Sequence, residues 1–211
     1  MTDKIQTTLR DSAAMRWTAL LLLSLAMFCA YIFVDILSPI KELMQEQRGW
    51  DSTAFGTMQG SETFLNVFVF FLIFAGIILD KMGVRFTAIL SGAVMLTGAL
   101  IKYYAISDSF AGSALDVWFT DHLNHIPVFE QLGVSPFYEG MPASAKVAAC
   151  GFMIFGCGTE MAGITVSRGI VKWFKGREMA LAMGSEMALA RLGVATCMIF
   201  SPFFAKLGGH I

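Results

Sequence analysis

Ionisable side chains interrupt otherwise apolar sequence at Asp35, Glu62, Glu160, Glu186 and Arg191. A charge at the centre of a bilayer costs roughly 2.5–3.5 kcal/mol on insertion scales, so such residues are expected to face a cavity or a partner. Glu160 and Arg191 offer the most chemistry. A guanidinium grips a carboxylate bidentately, and a carboxylate accepts from an ammonium, so the two facing one cavity would clamp a small zwitterion. An internal ion pair is the plainer use, and both readings hold if a solute displaces a direct pair. Asp35 and Glu62 suit proton coupling, or equally the wall of a wet cavity. Glu186 lies about 140° round a helix from Arg191 and need not share its cavity.

These side chains are carried by five apolar stretches, near residues 17–40, 54–79, 86–106, 145–170 and 178–205. Each reaches the ~20 residues that cross ~30 Å of hydrocarbon. With 56% hydrophobic and 15% charged residues in 211, the chain has little polar surface to solvate a globule. Hydrocarbon offers the backbone no hydrogen bonds, so the spans are expected to be helices. Lys4, Arg10 and Arg16 precede the first span as in a signal peptide, but its length and the lack of a small-residue cleavage site predict a retained helix. At ~1.5 Å per residue, Glu160 falls roughly 21 Å and Arg191 roughly 20 Å from the outer edge, at a shared depth.

The basic residues orient the spans. A cytoplasmic amino terminus puts Lys4, Arg10, Arg16, Lys81, Arg85, Arg168, Lys172, Lys175 and Arg177 inside, against Lys41, Arg48, Lys102, Lys146 and Lys206 outside, as positive-inside bias requires. The stretch from Ser107 to Pro142 has no Lys or Arg but carries Asp108, Asp116, Asp121, Glu130 and Glu139, and belongs outside. Its Trp118, Phe119, Phe129, Phe137 and Tyr138 are expected to fold it over the outer mouth. His122 and His125 share a helical face and can ligate a metal, although solvated loop residues are the default reading. Cys29, Cys150, Cys157 and Cys197 fall within spans as small apolar packers, with no disulfide or zinc spacing. The net charge of −1 leaves no nucleic-acid footprint. No nucleophile–base pair or metal cluster sits at plausible depth, so neither an enzyme nor a cofactor is expected.

Between the second and third spans lies Gly76-Ile77-Ile78-Leu79-Asp80-Lys81-Met82-Gly83-Val84-Arg85. Glycines permit a tight turn there, Asp80 can meet basic side chains when an inner gate shuts, and Lys81 and Arg85 anchor the loop to the inner leaflet. A generic short inside-positive loop has some of these features. The run nevertheless resembles the G-x-x-x-D-[RK]-x-G-x-[RK] signature of the major facilitator superfamily, at the connection where that family carries it. Trp173-Phe174-Lys175-Gly176-Arg177-Glu178, Gly156-Cys157-Gly158-Thr159-Glu160, Ala188-Leu189-Ala190-Arg191-Leu192-Gly193, and Tyr31 with Asp35 resemble its lysosomal dipeptide-transporter branch. The resemblance implies that Glu160 receives a substrate amine and Arg191 its carboxylate. There are departures: Phe152 stands where many members have arginine, and span five lacks G-x-x-x-G-P, which disfavours proton-driven drug export.

The expectation is therefore an all-α membrane protein whose five helices correspond to the first five of the amino-terminal bundle of the major facilitator fold. A cytoplasmic 1–16 precedes helices one to three over 17–106, an outer loop over 107–143, helices four and five over 144–205, and a short end at 206–211 where the chain looks truncated. The expected setting is the cell (inner) membrane, with lipid, a small zwitterionic solute, and a missing carboxy-terminal bundle or second chain as partners. A dipeptide or amino acid would cross by alternating access, which needs two bundles. The alternative is a truncated assembly or binding module without transport of its own.

Overall fold

The computed structural model describes residues 12–208 except His125, Val134 and Arg177; Lys4, Arg10 and the last three residues lie outside the described residues. The described residues form helices and no strand. Helix α1 (Ala13–Asp35) passes through a 3-10 turn at Ser38–Ile40 into α2 (Lys41–Arg48), which ends at Gly49 with φ 68°. The Asp51 carboxylate accepts from the Ala54 amide at 2.7 Å and caps α3 (Ser52–Phe68). After α4 (Phe71–Ile106), short helices α5 (Ala114–Asp121) and α6 (Pro127–Glu130) build the segment that leads to α7. Helices α7 (Ala143–Phe174) and α8 (Met179–Gly208) complete the chain.

Four stretches are long and apolar enough to cross a membrane: Ala13–Arg48, Phe71–Ile106, Ala143–Phe174 and Met179–Leu207. The stretch expected as an unbroken second span, 54–79, is instead interrupted. Phe70 takes φ 55°, a left-handed conformation that ends α3, and α4 begins one residue later. Within α4, Gly83 has φ 82° and ψ 169°, so 71–82 and 84–106 are separate helical arms meeting at one residue. Only glycine adopts such a backbone without a Cβ penalty.

Named contacts fix the directions. The second arm of α4 runs antiparallel to α7, with Gly98 against Gly151 and Phe155, and Ser91 and Met95 against Gly158. Helix α3 runs parallel to α7: Trp50 Nε1 donates to Ser144 Oγ at 2.8 Å, Ser61 Oγ donates to the Ala149 carbonyl at 3.0 Å, and Glu62 abuts Gly156. Helix α1 is antiparallel to α7, through Trp17 on Phe174 and Leu23 on Gly169, and parallel to α8, through Phe28 on Gly193 and the Ser201 hydroxyl on the Ile36 carbonyl.

Helix α7 is the hub. Of its apolar window 72% is buried, against 17% for α4 and α8, whose outer faces present Ile73, Ile89, Leu96, Ile199 and Phe203. Apolar side chains pointing outward suit a hydrocarbon solvent. A large cluster around Trp50, Met58, Phe152 and Phe155 joins α3, α4 and α7. A smaller one around Leu20, Met27, Ile170 and Phe174 joins α1, α7 and α8.

Candidate functional site

Gly193 lets α8 approach α1 until its Cα faces the Phe28 carbonyl, a separation that no side chain would permit. That approach brings the Arg191 guanidinium over the Tyr31 ring, with its carbon 5.8 Å from the centroid. A guanidinium over an aromatic face at this range is a cation–π contact. Residues 17 and 23 of α1 lie beside 174 and 169 of α7. Extrapolating that antiparallel register sets Glu160 level with about residue 31 of α1. Tyr31 thus stands at the height of Glu160 and beneath Arg191. Arg191 is exposed and Glu160 half-buried, and among the described residues no ion pair joins them. The direct internal pair envisaged from the sequence is not formed.

The acids divide. Glu62 on α3 lies within electrostatic reach of Glu160, Lys102 and Asp35, so carboxylates from α1, α3 and α7 share one region. Asp35 accepts from Ser38 Oγ at 3.1 Å and Gln59 Nε2 at 3.4 Å, which ties the end of α1 to α3. Glu186 is buried on a stripe with Ala182 and Ala190, facing the core shared with α1 rather than Arg191's exposed side.

At the other end of the spans, Asp80 accepts from Arg168 Nη1, an exposed ion pair joining the turn to α7. Gly83 supplies the turn, Gly76 is half-buried beside the buried Ala75, and Lys81 and Arg85 are exposed. The Trp173-to-Glu178 turn retains a 3.9 Å contact from Arg16 to Glu178, while its Arg177 lies outside the described residues.

Two lysines were undervalued in the sequence. Lys102 and Lys146 fall inside predicted spans, which is the available signal, although charge bias alone sets them among the outer-side cations. Both are buried. Lys146 is 1% exposed and donates to the carbonyls of Phe119 and His122 at 2.8 and 3.3 Å and to Asn124 Oδ1 at 2.6 Å. Its ammonium thereby caps the carboxyl end of α5, where the helix dipole favours a cation.

The segment between α4 and α7, expected to fold over a mouth of the bundle, instead runs along its side. Phe129 reaches Phe64 and Phe68 at 4.8 and 6.1 Å, so it descends the flank of α3 to roughly 18 Å below that helix's start. Tyr138 donates to Asp51 at 3.1 Å, and its phenol is pushed up to about 12 by desolvation and by that carboxylate. His122 stacks on Trp118 with ring centroids 4.7 Å apart and bonds the Trp118 carbonyl through Nδ1; its supposed metal partner His125 lies outside the described residues. No group of metal-ligating side chains occurs among the described residues.

Comparisons with protein families, with curated proteins and with solved structures find no match.

Proposed function

We propose that this chain supplies five spans of a transporter bundle of the major facilitator kind and recognises a small zwitterionic solute, a dipeptide or amino acid. In this reading Arg191 binds the carboxylate and Glu160 the ammonium, with Tyr31 as the platform between them. The observation that carries it is the Arg191 guanidinium poised on the ring of Tyr31, the residue that stands level with Glu160, and not paired to Glu160. A pre-oriented guanidinium without a protein carboxylate has its bidentate edge available to a solute.

Register supports five spans. Glu62 abuts Gly156 in a parallel pair, so Phe68 lies near the level of residue 162 of α7. Gly98 lies beside Gly151 and Phe155 in an antiparallel pair, and the same direction extended back to residue 71 would overshoot the end of α7. That mismatch is about 20 residues, or ~30 Å, whereas three extended residues span ~10 Å. The arm 71–82 therefore fits as a continuation of α3, with the reversal at Gly83, so 52–82 is one broken span. Phe152, where many members of the resembled family have arginine, lies under the Lys102 ammonium at 3.8 Å, a cation delivered from α4 instead.

Thermal shift of the purified chain with a dipeptide panel tests the reading. Free dipeptides should raise the midpoint of the wild type and leave Arg191→Ala unmoved; equal responses remove Arg191 from the site. Saturable uptake into liposomes carrying this chain alone would exclude the assembly-module alternative.

A further inference from the structure

The segment between α4 and α7 is tied at both limbs to one end of the bundle. Asn124 Oδ1 accepts from Lys146 Nζ at 2.6 Å in the first turn of α7, and Tyr138 donates to Asp51, the residue that caps the start of α3. Between these ties the chain dips. Phe129 packs edge-on against Phe64 and Phe68. Extending the parallel contacts of Ser61 with Ala149 and of Glu62 with Gly156 sets those two phenylalanines between the levels of residues 152 and 162, around the middle of α7. The step from Asn124 to Phe129 reaches at most ~17 Å, so the dip approaches the middle of a ~30 Å hydrocarbon layer and does not cross it.

Backbone at that depth has to satisfy its own polar groups, because hydrocarbon offers no partners. The amides of Phe129, Glu130, Gln131, Leu132 and Gly133 all donate within the dip, to the carbonyls of Ile126, Pro127, Phe129 and Glu130. Its outward side chains are apolar. Val128 and Leu132, four residues apart, are 68% and 66% exposed, and Val67, Phe70 and Ile73 at the junction of α3 and α4 continue the same apolar surface. Between Asn124 and Phe137 the sole Asp, Glu, Lys or Arg is Glu130, which lies about 200° round the turn from Val128. We infer that residues 126–132 form a re-entrant dip seated among lipid acyl chains, with Val128 and Leu132 facing hydrocarbon and Phe129 pinning the turn to α3. The partner is bilayer hydrocarbon. The inference rests on α7 crossing a bilayer and does not depend on the Arg191 clamp.

The test uses the 211-residue chain in phosphatidylcholine nanodiscs doped with a phosphatidylcholine that carries a photoreactive diazirine midway along one acyl chain, with adducts mapped by mass spectrometry. Ile89 and Ile199, exposed on the long helices, report the span surface. Val128 and Leu132 should be labelled within about twofold of them, as side chains at hydrocarbon depth, whereas a headgroup diazirine should leave 126–132 unlabelled. Val128→Asp combined with Leu132→Asp should cut labelling of 126–132 at least about tenfold, because carboxylates avoid hydrocarbon, and should leave Ile89 and Ile199 labelled as before. Val128→Ile with Leu132→Met should retain it. Labelling of Ile89 and Ile199 without 126–132, equal labelling of 126–132 by the headgroup probe, or an aspartate pair labelled like wild type would overturn the assignment. So would crosslinks from 126–132 to a second copy in place of lipid adducts. Loss of adducts at Ile89 and Ile199 as well would instead remove the membrane-spanning reading beneath it.

Discussion

The two sides of α7 are built differently. On one side α3 and α4 meet it at backbone distance: Gly98, Gly151, Gly156 and Gly158 remove the side chains that would hold the helices apart, and the largest core cluster fills the rest. On the other side α1 and α8 pack closely on each other at Gly193 but leave a cavity toward α4. Polar groups follow the packing. On the tight side Ser61 and Lys146 have their partners and the Lys102 ammonium lies over the Phe152 ring, whereas on the open side Arg191 rests on the Tyr31 ring of its neighbour helix. Tight packing specifies the fold, and the open side leaves the Arg191 guanidinium without a protein carboxylate.

The largest effect should come from breaking the tight side. Gly156→Leu drives a side chain into the Glu62 carbonyl and is expected to cost about 3 kcal/mol, the upper part of the range for overpacking. Gly163→Ala on the same helix meets open space and should change little. Thermal midpoints of the two variants give the comparison directly. Next, Lys146→Met removes the ammonium that holds Phe119, His122 and Asn124, an expected loss of about 1.5–3 kcal/mol for bonds to a charged group. Limited proteolysis should then cut within 107–142 much faster than in wild type.

Smaller effects sharpen the picture. Asp80→Asn breaks an exposed pair with Arg168 and should cost at most ~1 kcal/mol of stability. A larger change in transport than in stability would mark the pair as a gate contact. Tyr138→Phe should cost about 0.5 kcal/mol at neutral pH, as one exposed hydrogen bond. Because the folded phenol is raised from 10.0 to about 12, its contribution is fully present below pH 10 and is lost as pH rises from there toward 12. The difference in thermal midpoint between wild type and Tyr138→Phe should shrink across that window.

Helical spans were legible because hydrophobic runs of membrane length carry a strong signal. Asp80 in its glycine-bounded turn was legible for a similar reason, since inside-positive charge and turn glycines are local features. The break at Phe70 was not, because a left-handed phenylalanine between Val69 and Phe71 has no compositional mark. Counting residues sets Glu160 and Arg191 at one depth, whereas the contacts of α8 with α1 set Arg191 beside residue 26, and that its side chain lies on Tyr31 depends on helix rotation, which counting leaves open. Lys102 and Lys146 were misjudged because a cation near a span's end can snorkel to water or turn inward, and only packing decides. The descent of Phe129 along α3 is a long-range contact with no local signature.

The zwitterion clamp makes a matched chemical prediction. Binding of a dipeptide, its amino-acetylated form and its carboxyl-amidated form should be measured on wild type, Glu160→Gln and Arg191→Ala by scintillation proximity. Wild type should lose about tenfold or more in affinity on either blockage. Glu160→Gln should become indifferent to acetylation yet stay sensitive to amidation, and Arg191→Ala should show the reverse. If both variants respond to both blockages as wild type does, Glu160 and Arg191 do not hold the two ends of the solute and the central claim fails.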